Sequence, residues 1–301
     1  MTTPMEKRTL GKTGMKVTTL GFGASEMGHG GMPLRAAAQL LNRALDAGLN
    51  LIDTAECYGN AEDTIGQAIG HRRQEYYLIT KCGHLNGFPG DWSGAALQHS
   101  IENSLRRLRT DVLDGVLLHS CDLPVLQRGE AVAALAQAKA QGKVRFIGYS
   151  GDGEEARWAV DSGVFDLLEI SVSIADQEAI ETVLPQAAAR GLGVIAKRPL
   201  ANAAWVHQAA PANHYHRPYW ERLRQLDYDF IHGPTAQIGA TALRFTLSVP
   251  GVHTAIVGST RPERWQQNAE LLAAGPLPRA EYDAIRSRWH ERAGSDWFGQ
   301  R

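Results

Sequence analysis

Cysteine is scarce in this 301-residue sequence: Cys57, Cys82 and Cys121 are odd in number and have no close spacing. That argues against a disulfide framework and for a reducing compartment. An excess of charge of either sign is missing too, with 31 Lys and Arg against 32 Asp and Glu and a formal net charge of -1, so no bulk field draws a polyanion. The chain has no long basic run, zinc-finger spacing or coiled-coil heptad, and nucleic acid is therefore not an expected partner. Gly, Asp, Lys or His soon interrupts every hydrophobic run, so none approaches a membrane span. Met1 to Leu10 carries Glu6, Lys7 and Arg8 and lacks the apolar stretch of a secretory signal. Together these absences lead us to expect a cytoplasmic protein with no membrane partner.

What is present suits a globular protein with a large core: 44% of residues are hydrophobic and 21% charged. One phrase recurs along the chain, an amphipathic helical stretch, then a glycine, then a short apolar run. The glycines are Gly48, Gly142, Gly163, Gly191 and Gly251, each placed where a helix must stop and the chain reverse. Eight apolar runs follow this rhythm: Thr18 to Gly23, Asn50 to Thr54, Tyr77 to Lys81, Leu113 to His119, Arg145 to Ser150, Leu167 to Val172, Gly193 to Lys197 and Thr254 to Gly258. Between them, Leu34 to Ala47, Ala95 to Arg107, Ala131 to Gln141, Ala179 to Arg190 and Ala236 to Ser248 carry helical apolar spacing. Eight such units spell an α/β protein, a TIM (β/α)8 barrel in one domain over residues 1–301, preceded by a β-hairpin around Leu10 to Gly14. Long loops are expected at the C-terminal face, Gly83 to Trp92 and Leu200 to Pro234, with the tail from Gly294 to Arg301 as a further wall.

The C-terminal ends of barrel strands face the active site, and here they carry Asp53, Lys81, His119, Ser150, Glu169, Ser171, Lys197 and Ser259. Taken singly, Asp53 could cap a turn, Lys81 could snorkel to water and His119 could be a core histidine. Ionisable groups avoid burial unless paired, so their convergence on one mouth implies mutual pairing or a chemical task. Tyr58, in the loop after the second run, brings a phenol to the same mouth.

Asp53-Thr54-Ala55-Glu56-Cys57-Tyr58-Gly59, with Glu62 in the helix that follows, resembles the Asp-Thr-Ala-x-x-Tyr-Gly segment of aldo-keto reductases. The likeness runs through Leu78 to Lys81 and Leu117 to Ser120 and covers nearly the whole chain. It implies a barrel that binds NADPH without a Rossmann fold, and a catalytic tetrad of Asp53, Tyr58, Lys81 and His119 acting on a small-molecule carbonyl. The chemistry is coherent. A free phenol, with a pKa of about 10, is a reluctant proton donor for an alkoxide at neutral pH. Lys81 would lower the phenol's pKa, Asp53 would hold Lys81 charged, and His119 would orient the carbonyl.

The same resemblance assigns cofactor contacts to Ser150, Glu169, Arg198, Leu200, Ser259, Arg264 and Asn268. Three positions depart from the family's pattern: Gly151 stands for an asparagine, Glu169 for a glutamine, and Val172 for the aromatic under the nicotinamide. Arg264 could grip a 2'-phosphate, while Gly258 stands where many members have a lysine, so NADH is not excluded. The glycines Gly21, Gly23 and Gly28 lack dinucleotide-fingerprint spacing and read as the first strand and its loop. The cysteines read as packing residues that alternate away from Lys81 and its neighbours, and no metal site is expected, the cluster of His207, His214 and His216 included. Phe88, Trp92, Trp205, Tyr215, Tyr219 and Trp297 could line an aromatic substrate pocket. Two other readings compete, a sensor or regulatory barrel that binds NADPH with little turnover and a Schiff-base aldolase using Lys197. Oligomeric state and the physiological substrate are left open.

Overall fold

The computed structural model describes residues 5–84, 87 and 90–300. Strands β1 (Lys7–Thr9) and β2 (Lys16–Thr18) pair antiparallel as the expected hairpin. The remaining strands are β3 (Leu20–Gly23), β4 (Leu51–Asp53), β5 (Tyr77–Cys82), β6 (Leu113–His119), β7 (Val144–Ser150), β8 (Leu167–Ser171), β9 (Gly193–Lys197) and β10 (Thr254–Val257). They are all parallel and close in sequence order, β10 pairing with β3, into the (β/α)8 barrel with helices outside. All five glycines read as helix stops have positive φ, from 67° at Gly191 to 94° at Gly48. Only glycine reaches that region without a Cβ clash.

The barrel interior is built in two layers. Leu51, Ile79, Leu117, Leu167 and Ile195 point inward from β4, β5, β6, β8 and β9 and meet Leu10, Met15 and Val17 of the hairpin in one fully buried cluster. The hairpin thus plugs the N-terminal end. Glycines on other strands make room for these side chains: a Cβ at Gly115 would come within 2.6 Å of Ile79, and one at Gly193 within 2.7 Å of Leu10. Alternating large and small residues fill a narrow barrel in this way. Two residues further along the same five strands stand Asp53, Lys81, His119, Glu169 and Lys197. Because strand side chains alternate faces, a residue two places beyond an inward leucine also points inward, one layer nearer the mouth. The polar layer therefore rests directly on an apolar floor.

The intervening residues face outward and fix the strands to their helices. Thr80 donates to Glu62 Oε1 at 2.6 Å, and Arg107 pairs with the other Glu62 oxygen at 3.3 Å, so the helix Ala61–Ile69 and the helix Gly94–Leu108 are tied behind β5. Among the described residues no helix is long and apolar enough to cross a membrane.

Two expected elements differ. Ala179 to Arg190 is broken into Ala179–Thr182 and Leu184–Ala189, with Val183 at φ -127° between them. Pro185 causes the break, since it has no N–H to donate and its ring crowds the carbonyl one turn back. The stretch Leu200 to Pro234 is not simply a loop, because it holds the helix Arg217–Leu226, whose Tyr219, Arg222, Leu223 and Leu226 are buried at helical spacing.

Candidate active site

Lys81 is the hub of the mouth. Its side chain is fully buried, and its ammonium donates to Asp53 Oδ1 at 2.7 Å, to Asp53 Oδ2 at 2.6 Å and to the carbonyl of Thr54 at 3.0 Å. Glu169 Oε2 lies 3.3 Å from the same nitrogen, reaching it across the barrel from β8, which does not neighbour β5. Burial works against the ammonium, but the charges of Asp53 and Glu169 outweigh it and hold Lys81 above the usual lysine range. Asp53 is itself pushed well up, first by burial and then by the Glu169 charge, with Lys81 opposing.

Tyr58 stands over this ion pair, the Lys81 nitrogen 5.2 Å from its ring centre. Its ring meets His29 at 5.6 Å and His119 edge-on at 5.7 Å. Both Tyr58 and His119 are half-buried. The net direction of the phenol's shift is upward, because burial exceeds the pull of Lys81 and the Asp53 and Glu169 carboxylates add to it. Lys81 alone therefore does not lower the Tyr58 phenol, contrary to what the residue pattern suggested, since that pattern does not reveal Glu169 as a third charge. His119 moves well below its usual value through burial and the nearby Lys81 charge, so its imidazole is neutral at neutral pH.

His119 Nδ1 lies 3.5 Å from Cys57 Sγ. This corrects the expectation that all three cysteines turn away: Cys57 is on a loop, where strand alternation does not apply, while Cys82 on β5 does sit in the outer core. All three thiols are free, and burial pushes Cys57 up to about 11. Among the described residues neither Tyr58 Oη nor His119 Nε2 has a hydrogen-bond partner. Behind them His84 Nε2 donates to the His119 carbonyl at 2.7 Å, and Glu56 accepts from the His84 backbone N–H at 2.6 Å.

In register, His119 faces Ser150 and Ser150 faces Glu169, which places the three in one row; Ser150 Oγ donates to Glu169 Oε1 at 3.1 Å. A Cβ on Gly151 would strike the Tyr149 phenol, so an asparagine there would require that ring to move. Val172 is fully buried in the outer core and takes no part in the mouth. Next comes a second charged group that the strand-end reading missed. Asp152 binds Ser171 through its N–H at 2.7 Å and its hydroxyl at 3.1 Å, Lys197 at 3.0 Å and Arg198 at 3.8 Å. Its only signal in the sequence is an acid set between Gly151 and Gly153. A Schiff-base lysine needs a free amine, and Lys197 has this ion pair instead.

Arg198 (φ 54°) spends Nε on Tyr215 Oη and Nη1 on Ser171 Oγ and the Gln300 carbonyl, so the C-terminal tail is strapped to it. Leu200 is half-buried beside the turn Ala201–Val206. Ser259, Arg264 and Asn268 lie past β10 and form no hydrogen bond or ion pair with the Lys81 centre; Ser259 and Arg264 are half-buried and Asn268 buried. Of the proposed aromatic wall, Trp92 packs on His84 at 5.1 Å, beside His119. Tyr219 is instead fully buried, donating to Asp176 at 2.5 Å, and Trp297 is buried against Arg222 and Trp289, because the helix Arg217–Leu226 and the tail turn them into the core. Phe88 lies outside the described residues. His207 and His216 meet edge-on at 5.7 Å, and among the described residues no three His, Cys, Asp or Glu side chains are grouped to hold a metal ion.

Gly28, set aside in the sequence as part of a strand-one loop, has a tighter role. A Cβ there would collide with the carbonyl oxygen of Tyr58, and one at Gly59 would come within 2.7 Å of the Gly28 carbonyl. The helix Ser25–His29 thus packs backbone-to-backbone on the loop that carries the phenol. Gly28→Ala is expected to lower kcat by up to about 100-fold by displacing Tyr58, the cost of a 1 Å misplacement, with nucleotide affinity changed less than twofold. Unchanged kcat in a folded variant would show that the loop tolerates the shift.

The sequence model described as "Aldo/keto reductase family" matches residues 19–290. The chain is 28% identical to L-galactose dehydrogenase of Arabidopsis thaliana over 285 residues, covering 90% of this chain and 89% of that protein. Its fold is similar to the holo form of an aldo-keto reductase from Bacillus halodurans, with a TM-score of 0.80, 26% identity and coverage of 94% and 96%. It is also similar to an aldo/keto reductase from Klebsiella pneumoniae in complex with NADP and acetate, with a TM-score of 0.77, 27% identity and coverage of 99% and 100%.

Proposed function

Because this chain belongs to the aldo/keto reductase family, we propose that it reduces the carbonyl of an aldehyde or ketone with NADPH, as one barrel domain in the cytoplasm, with Tyr58 as the proton donor. The observation that carries this reading is the pair of unpartnered polar groups, Tyr58 Oη and His119 Nε2, set over a buried Lys81–Asp53 ion pair. The residues present fit a nicotinamide nucleotide. Glu169 Oε2 is buried without a hydrogen bond, and Arg198 and Arg264 bring cations to the rim where phosphates would lie. When bound, the nucleotide supplies the hydride that the carbonyl carbon accepts.

The chain's own residues do the rest. His119, neutral, donates an N–H hydrogen bond to the carbonyl oxygen and fixes its position against Tyr58. Tyr58 Oη gives its proton to the oxygen as negative charge develops there. Lys81, kept charged by its carboxylates, stabilises the phenolate that remains, and Asp53 keeps Lys81 in place. In the reverse direction the same phenolate is the base.

Ser150 and Glu169 are the residues proposed for the nicotinamide end, Arg198 and Leu200 for the pyrophosphate, and Ser259, Arg264 and Asn268 for the adenosine end. Support for an NADP-type nucleotide comes from the NADP complex of the Klebsiella relative. Incubation with NADPH and a panel of aldehydes, ketones and quinones tests the activity: sustained NADPH oxidation is expected, and a single turnover without cycling would favour a nucleotide sensor. Arg264→Ala is expected to weaken NADPH binding about tenfold and to leave NADH within twofold, the loss of one charge-assisted phosphate contact. Equal losses for both nucleotides would remove Arg264 from the 2'-phosphate.

A further inference from the structure

Two carboxylates share one cation at the centre of the barrel, and the mechanism above gives the second, Glu169, no part in the charge balance of hydride transfer. The three N–H groups of Lys81 are all taken, two by Asp53 and one by the Thr54 carbonyl. Glu169 is left as the surplus negative group, 3.3 Å from the ammonium but without a hydrogen bond to it. Its Oε1 accepts from Ser150 and its Oε2 has no hydrogen-bond partner, although the residue is only 2% exposed. The Lys81 ammonium, whose hydrogen bonds go to Asp53 and Thr54, offsets only part of the cost of burying that oxygen, so a second cation beside it would be favoured.

The position of Glu169 says what that second cation would be. It belongs to the inward row His119, Ser150, Glu169, and its carboxylate contacts the lysine that lies under the Tyr58 ring. A carbonyl held between Tyr58 and His119 lies over this row, and a hydride donor in contact with that carbonyl lies over it too. Hydride transfer moves two electrons and a proton from the ring of the reduced nucleotide to the carbonyl carbon. The carbonyl oxygen takes the Tyr58 proton, and the ring passes from neutral to a charge of +1. A fixed negative charge nearby favours the cationic side of that balance, and it acts strongly in a water-poor site.

We propose that Glu169 sets the redox preference of this site: it makes the protein hold the oxidised nicotinamide more tightly than the reduced one, and so makes the bound reduced nucleotide a stronger hydride donor. The inference rests on the nucleotide-binding reading above. By linkage, the ratio of the two affinities equals the shift in the bound nucleotide's potential, and a tenfold ratio corresponds to about 30 mV for a two-electron couple.

Equilibrium titration of the full chain, read by tryptophan fluorescence, with NADP+ and NADPH separately, measures this without turnover. The unmodified protein is expected to bind NADP+ about tenfold more tightly than NADPH. Glu169→Gln, which keeps the shape and removes the charge, brings the two within about twofold, and Glu169→Asp retains most of the preference. A tighter Kd for NADPH in the unmodified protein overturns the proposal, and so does a ratio that Glu169→Gln leaves unmoved. Should Glu169→Gln fail to fold, the ratio in the unmodified protein decides alone. If neither nucleotide binds the unmodified protein, the nucleotide reading itself fails and this inference falls with it.

Discussion

Tyr58→Phe is expected to lower kcat for carbonyl reduction by about 10³-fold, within the range that a positioned general acid contributes, while nucleotide affinity changes less than twofold. The substitution is a clean one because of how the ring is held. Phenylalanine keeps the edge contacts to His29 and His119 and the position over Lys81, and removes only an Oη that bonds to nothing among the described residues. Folding stability should therefore be little changed, since the phenylalanine removes no hydrogen bond made within the described residues. The pH dependence follows from the upward shift of the phenol. Tyr58 is the protonated acid throughout the neutral range, so reduction should be flat there and decline only in strong alkali, whereas alcohol oxidation, which needs the phenolate, should rise with pH. Steady-state rates in both directions over pH, with the phenylalanine variant as control, check this. Retention of more than about a third of the activity in Tyr58→Phe would remove Tyr58 as the proton donor, and a reduction rate that rose with pH would reverse the assignment of acid and base.

The barrel was legible because its signals are local. A strand buried on both faces reads as a short apolar run, a left-handed helix stop reads as Gly48 or Gly251, and a residue two places past an inward leucine must point inward. That rule alone puts Asp53 after Leu51, Lys81 after Ile79, His119 after Leu117 and Glu169 after Leu167 on the inner wall. What it cannot give is which of these side chains meet. Glu169 reaches Lys81 across the diameter, from a strand three places away in the sheet order, and that contact exists only once the barrel has closed. The direction of the Tyr58 shift failed for the same reason. Loop residues were hidden differently. Asp152 and Gly28 act through the backbone they touch, Ser171 in one case and Tyr58 in the other, and neither contact leaves a periodic trace. Tyr219 was read as pocket wall because it sits in a long polar stretch after β9, although its spacing to Leu223 and Leu226 is that of a buried helical face.

Lys81→Met should be as damaging to the fold as to the chemistry. Among the described residues the ammonium is the one cation within contact of Asp53 and Glu169, and methionine fills much the same volume without charge. Removing one partner of a buried ion pair costs about 3–5 kcal/mol, because the carboxylates left behind are neither solvated nor paired. The sign of the pH dependence can be worked out from Asp53. Even beside Lys81 its folded pKa stands well above the ordinary value of 3.8, through burial and then Glu169. A carboxyl raised in this way favours the folded state most below its unfolded pKa and loses that contribution as pH rises through the folded value. Taking away the lysine removes the main opposing charge and raises the folded value further. Of two pH values, one mildly acid and one mildly alkaline, the variant should lie closer to the parent protein at the acid one, where protonation relieves part of the uncompensated charge, and fall away at the other. Urea denaturation at the two pH values measures the difference. Adding Asp53→Asn and Glu169→Gln to Lys81→Met should recover most of the loss at the higher pH, since the uncompensated charge and not the missing side chain is its cause, while activity stays lost. A Lys81→Met protein with the same deficit at both pH values, or a triple variant no more stable than the single one, would mean that packing, not charge, holds the centre of this barrel together.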